Sequence, residues 1–135
     1  MTKEEIRRQE YGNMIGSIDW SLFITIHYYN GSSQMNSRRN IEFLNKRNRS
    51  VIDSLFFVSE KGKDNVTHTH LLVKTNNRKK IMDSLKPLRK YSNIHCVDID
   101  PKKKNNGVLY VGNYLAKELN RDIDYDILIN KNYEL

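Results

Sequence analysis

His68 and His70, with Thr69 between them, stand in Val66-Thr67-His68-Thr69-His70-Leu71-Leu72-Val73. Residues two apart on an extended chain project to the same side, so on a strand the two imidazoles form a two-point clamp. Glu60 closes the preceding apolar run, and the polar segment Lys61-Gly62-Lys63-Asp64-Asn65 separates the two. A hairpin over this stretch brings Glu60 level with the early part of the histidine strand. Two neutral imidazoles and a carboxylate leave coordination positions open for water and a phosphate oxygen. That donor set suits Mg²⁺ or Mn²⁺, with zinc an option in vitro. Asp64 is a weaker substitute for Glu60, and His27 and His95 are spare imidazoles that could face the same surface if the register allows it. The bland alternatives are exposed or hydrogen-bonded histidines and a hairpin carboxylate beside Lys61 and Lys63.

A second chemical group lies in Leu109-Tyr110-Val111-Gly112-Asn113-Tyr114-Leu115-Ala116-Lys117-Glu118. On a helix Tyr110, Tyr114 and Lys117 fall at i, i+4 and i+7 and share one face, roughly opposite the stripe of Val108, Val111, Leu115 and Leu119. A phenol ionises near pH 10 and is a poor nucleophile at neutral pH, so it needs a nearby cation and a polarised electrophile. Lys117, one turn beyond Tyr114, and a metal ion on the phosphate would meet those needs. Attack by Tyr114 would leave a phosphotyrosine that a free 3′-hydroxyl could reverse without ATP. Plain amphipathic packing is the competing role for these tyrosines.

The elements that must position these residues follow from periodicity. Alternation from Ile18 to Tyr28 predicts a first strand, and residues 36–49, with Ile41 and Leu44 on one side, predict a helix. Residues 51–60 and 66–75 read as a hairpin. Residues 78–90 read as a helix that Pro87 bends or ends early, 93–100 as a strand, and 107–119 as a helix. The tail from 120 to 135 has no clear reading and is treated as an extension to a core spanning about residues 18–119. The order β-α-β-β-α-β-α contains the ferredoxin-like, RNA-recognition-like split βαβ arrangement, an α+β fold with one antiparallel sheet of four to five strands and one face left for a ligand.

The 135 residues suit a single domain. Twenty-three Lys and Arg against 16 Asp and Glu give +7, which favours a polyanionic partner, although solubility alone would also account for it. The lone cysteine excludes an intrachain disulfide and a CxxC zinc site. The start lacks a signal-peptide pattern, and no run approaches the roughly 20 apolar residues of a membrane span, so a soluble, cytoplasmic protein with no membrane partner is expected.

Together these residues resemble the HUH endonucleases, a superfamily of replication initiators, relaxases and transposases. His68-Thr69-His70 looks like the metal motif, with Thr69 in place of the usual bulky hydrophobic residue. Tyr114-Leu115-Ala116-Lys117 is similar to the Tyr-x-x-Lys motif of single-tyrosine initiators, and Phe23-Ile24-Thr25-Ile26 resembles their first-strand motif. Glu60 sits where many such initiators place a third ligand. Tyr110 is followed by Asn113 at the third position, unlike two-tyrosine phage initiators, so the resemblance assigns the nucleophile to Tyr114 and makes Tyr110 a second tyrosine or a base-stacking residue.

The resemblance implies a single-stranded DNA nickase and strand transferase that initiates rolling-circle replication of a virus or plasmid. It would act at a single-stranded or extruded hairpin origin through a covalent 5′ adduct and a divalent metal. No phosphate-binding G-x-x-x-x-G-K-[ST] loop is present, so a host helicase and polymerase would be partners. Arg38, Arg39, Arg47, Lys79 and Lys80 are candidate phosphate contacts, among a wider basic set that includes Arg89 and Lys90. Trp20, Tyr28, Tyr29 and Tyr91 are candidate stacking residues. Three readings compete: a single-tyrosine transposase or relaxase, a non-catalytic single-stranded nucleic-acid binder, and a hydrolytic metal nuclease that uses water.

Overall fold

The computed structural model describes residues 2–3, 10, 13, 15–29, 33–61, 66–99 and 123–131. Five strands form one sheet: β1 (Leu22–Tyr28), β2 (Ile52–Lys61), β3 (Thr67–Thr75), β4 (Ser92–Asp98) and β5 (Ile123–Ile129). Helix α1 (Gln34–Arg47) links β1 to β2. Helix α2 (Arg78–Leu85), prolonged by a 3₁₀ turn (Lys86–Lys90), links β3 to β4. The spatial order is β4-β1-β3-β2-β5, and every neighbouring pair is antiparallel. Each helical crossover therefore skips one strand, which is the split βαβ topology, and the α+β class read from the sequence holds.

Local chemistry sets the helix limits. The Ser33 side chain accepts the Asn36 amide at 3.1 Å and starts α1. At the other end the buried Asn48 donates through its side-chain amide to the Leu44 carbonyl at 2.9 Å, satisfying one of the last orphan acceptors. Asn77 caps α2 by accepting from the Lys80 amide. Pro87 stands in the first turn of the 3₁₀ segment, where its missing N–H costs nothing, so the apolar pattern runs to Lys90 although the α-helix stops at Leu85.

The two faces of the sheet carry different residues. Leu22, Ile24 and Ile26 of β1, Leu55 and Phe57 of β2, Leu71 and Val73 of β3 and Ile94 of β4 meet Ile41 and Leu44 of α1 and Ile81 and Leu85 of α2 in the main core. On the opposite face Phe56, Val58 and Leu72 pack with Ile15 and Trp20, flanked by Phe23, Tyr125 and Ile127. The first strand starts later than its alternation predicts. The chain turns tightly before it, with the Trp20 amide donating to the Ile18 carbonyl at 3.1 Å. That turn carries Trp20 to the face opposite Leu22.

Strand β5 lies in the tail beyond the expected core. Two of its helix-side positions, Asp124 and Asp126, are carboxylates beside Leu128, which is why the segment does not read as a buried strand. Arg38 of α1 resolves them. Its guanidinium donates to Asp124 at 2.7 and 2.9 Å and to Asp126 at 3.0 Å, and lies 5.1 Å from the Phe57 ring centroid. Asn130, just past β5, exchanges side-chain amide bonds with Asn45 at 2.6 and 3.3 Å. Both ends of the edge strand are thus tied to α1. Among the described residues no helix is long and apolar enough to cross a membrane.

Candidate metal and nucleic-acid site

The register of three strands assembles the histidines. Glu60 of β2 lies opposite His68 of β3, and His68 in turn lies opposite His27 of β1. In the adjacent row Val58, His70, Thr25 and His95 are paired across β2, β3, β1 and β4. Residues directly opposite share a face. All four histidines of the chain therefore stand with Glu60 on the sheet face opposite α1 and α2. His27 and His95 are exposed, and His68, His70 and Glu60 are half-buried.

Contacts within this group are specific. The rings of His27 and His68 meet edge to face with centroids 4.4 Å apart. His70 stacks on Phe23 at 5.8 Å, and its Nδ1 is 3.2 Å from the Thr25 hydroxyl. If Nδ1 carries the proton and donates to Thr25, then Nε2 carries the lone pair, the tautomer a metal ligand needs. Burial, then the neighbouring His27 and His68, hold the His70 pKa down to about 4, so at neutral pH it is an uncharged donor. His27 is also lowered, by burial and then by His68.

Thr69, between the two histidines, points the other way. Its hydroxyl meets Ser37 of α1 at 2.6 Å and Ser59 of β2 at 2.8 Å, and all three are fully buried. This gives a physical reason for a threonine at this position. The helix-side pocket beneath the histidines is built around hydroxyls, and an aliphatic side chain there would leave Ser37 and Ser59 short of a partner.

The donor types fit a divalent ion: two imidazoles, one of them uncharged by burial, and a carboxylate in register on one face. Among the described residues no group of three or more His, Cys, Asp or Glu side chains is gathered tightly enough to hold an ion as the side chains stand. Their backbone positions already share a face, so ligation asks for side-chain rotation and not for a change of register.

Other expected site residues lie elsewhere. Trp20 and Tyr28, candidate stacking residues, are only 4% and 2% exposed. The Trp20 indole N–H donates to the Ile15 carbonyl, and the Tyr28 hydroxyl accepts from Asn40. Neither offers a ring to a base. Arg38 is held by Asp124, Asp126 and Glu42, which removes it as a free phosphate contact. Arg39, Arg47, Lys79 and Lys80 are exposed on α1 and α2, the layer on the other side of the sheet from the histidines. Tyr110, Tyr114 and Lys117 lie outside the described residues. Thr25, given no role of its own by the sequence reading, meets His70, and strand alternation alone puts it on the same side as His27.

No protein-family model matches the chain, and no curated protein matches it. Among solved structures it is similar to the crystal structure of the hypothetical protein ORF119 from Sulfolobus islandicus rod-shaped virus 1. The TM-score is 0.54 at 22% identity, covering 81% of this chain and 90% of that one. At that identity the likeness is one of fold.

Proposed function

We propose that this protein is a metal-dependent endonuclease and strand transferase that nicks single-stranded DNA through a tyrosine, as initiators of rolling-circle replication do. The observation that carries the reading is the gathering of every histidine in the chain, with Glu60, on one sheet face. Lys and Arg in excess by seven over Asp and Glu favour a polyanionic substrate.

Glu60, His68 and His70 would hold the ion, with Thr25 fixing the His70 ring and His27 packed against His68. When bound, a divalent ion supplies positive charge to the scissile phosphate. The Tyr114 phenol oxygen forms a bond to phosphorus and the bond to the 3′-oxygen breaks. The phenolic proton is given up and the departing 3′-oxygen is protonated, leaving a 5′-phosphotyrosine and a 3′-hydroxyl. Lys117 stabilises the negative charge that develops during attack. The reverse reaction rejoins the strand.

The test is incubation of the protein with a labelled single-stranded origin oligonucleotide and Mn²⁺, followed by denaturing electrophoresis. The expected result is an adduct that survives denaturation and is lost in Tyr114→Phe and in EDTA. Cleavage without an adduct would indicate hydrolysis by water. An adduct that persists in Tyr114→Phe and is lost in Tyr110→Phe would move the nucleophile to Tyr110. Metal-independent binding with no cleavage would leave a single-strand binding domain.

A further inference from the structure

The histidine face continues past the last row of the sheet. Tyr28 is buried in the helix-side core, so the next residue, Tyr29, projects on the histidine side, two residues and about 7 Å along the strand from His27. Its amide donates to the Tyr91 carbonyl at 2.9 Å, which carries the β1–β4 ladder one step beyond the Tyr28 and Ser92 pair. Tyr29 and Tyr91 are 56% and 65% exposed, among the most exposed large side chains described. The backbones of two exposed phenol-bearing residues are thus held side by side where β1 and β4 end, at the rim of the sheet.

Two cations stand next to Tyr91 in the chain. Tyr91 follows the 3₁₀ turn Lys86–Lys90, whose exposed Arg89 and Lys90 immediately precede it. Lys86 is paired with Asp83, whereas among the described residues no carboxylate pairs with Arg89 or Lys90. The Asp98 carboxylate of β4 is at the far end of that strand, bound to Arg78. Strand β4 is also the edge of the sheet, so nothing described lies beyond this rim.

Exposed aromatic residues beside cations that have no carboxylate partner among the described residues suit a single-stranded nucleic acid. Every base offers a face to stack on, and the backbone offers a phosphate at each step. We propose that Tyr29 and Tyr91 form a base-stacking platform for single-stranded DNA at the β1–β4 rim, with Arg89 and Lys90 holding the adjoining phosphates, so that the strand runs onto the histidine face. This subsite rests on the nickase reading for its substrate. It assigns the approach to the sheet edge and its 3₁₀ turn, and not to the basic helices α1 and α2.

The experiment is equilibrium binding of a fluorescein-labelled single-stranded oligodeoxynucleotide in EDTA, by anisotropy across a salt series. The full chain is used, with circular dichroism as a check on folding. The Tyr29→Ala/Tyr91→Ala variant is expected to bind at least about tenfold more weakly with an unchanged salt slope, while Tyr29→Phe/Tyr91→Phe stays within about threefold of wild type. Arg89→Ala/Lys90→Ala should reduce the slope of log K against log salt by about 1.4, for two single-strand phosphate contacts. Wild-type affinity in the double alanine variant overturns the platform. So do a double phenylalanine variant as weak as the alanine one, and preference for a duplex of the same sequence. The readout needs no metal and no chemistry. An absent covalent adduct with these binding results intact would remove the nickase reading and leave the platform, whereas an adduct formed without them would do the reverse.

Discussion

The two faces of the central sheet are made by alternate residues of the same strands, yet they differ in how their polar groups are treated. On the helix side the polar groups are matched inside the protein: Ser37, Ser59 and Thr69 bond one another, and Arg38 closes on Asp124 and Asp126. On the other side the apolar half is covered by Ile15 and Trp20, and the remaining half presents His27, His68, His70, His95 and Glu60. Where a fold has paired its polar groups, they serve stability. On the other face the imidazoles stand together, His70 held by Thr25 and Phe23 and His68 by His27, with His27 and His95 exposed.

The contrast can be broken at single residues. The largest expected effect is a pH dependence that belongs to the histidine face. The folded-state pKa of His70, about 4, lies below its ordinary 6.5, so between those values the unfolded chain takes up a proton that the folded one does not. Stability of the metal-free protein should therefore fall as pH drops from about 6.5 to about 4, by up to about 3 kcal/mol from this group, and level off below. Urea unfolding of wild type and His70→Gln across that range checks it, the variant losing this part of the slope.

Next in size is Arg38→Ala, which leaves two carboxylates facing each other beside Phe57. It should cost about 2 kcal/mol in urea unfolding, less than a fully buried pair because the cluster is partly solvated. Its effect on DNA binding in EDTA should be small. Thr25→Val removes the partner of His70 Nδ1, and should weaken Mn²⁺ binding by about tenfold or more with little loss of stability. Thr69→Val, on the opposite face, should do the reverse: about 1 kcal/mol of stability lost, with Mn²⁺ affinity held within about threefold. If the Thr25 and Thr69 variants behaved alike, the distinction between the faces would fail.

Much of this was legible in the sequence because alternation is a local property. The parity of His68 and His70, and the level of Glu60 across the hairpin, follow from strand geometry, and the order of elements led to the split βαβ sheet. What escaped was non-local. Strand β5 hides behind Asp124 and Asp126, whose place on the helix side makes sense only once Arg38, more than 80 residues earlier, is known to face them. Trp20 followed the alternation of β1 on paper, but the turn at Ile18 sends it across the sheet. That His27 and His95 join the other two histidines depended on strand order, which no local pattern specifies. The basic residues could not be sorted by layer until the helices were known to share one face.

The central claim is that Glu60, His68 and His70 bind one divalent ion on the open face. Calorimetric titration of Mn²⁺ into wild type, His68→Ala/His70→Ala and His95→Ala tests it most directly, with chemical denaturation to verify that the variants are folded. The account predicts one site in wild type, its loss in the double variant and its retention in His95→Ala. Unchanged Mn²⁺ binding in a folded His68→Ala/His70→Ala protein would contradict it.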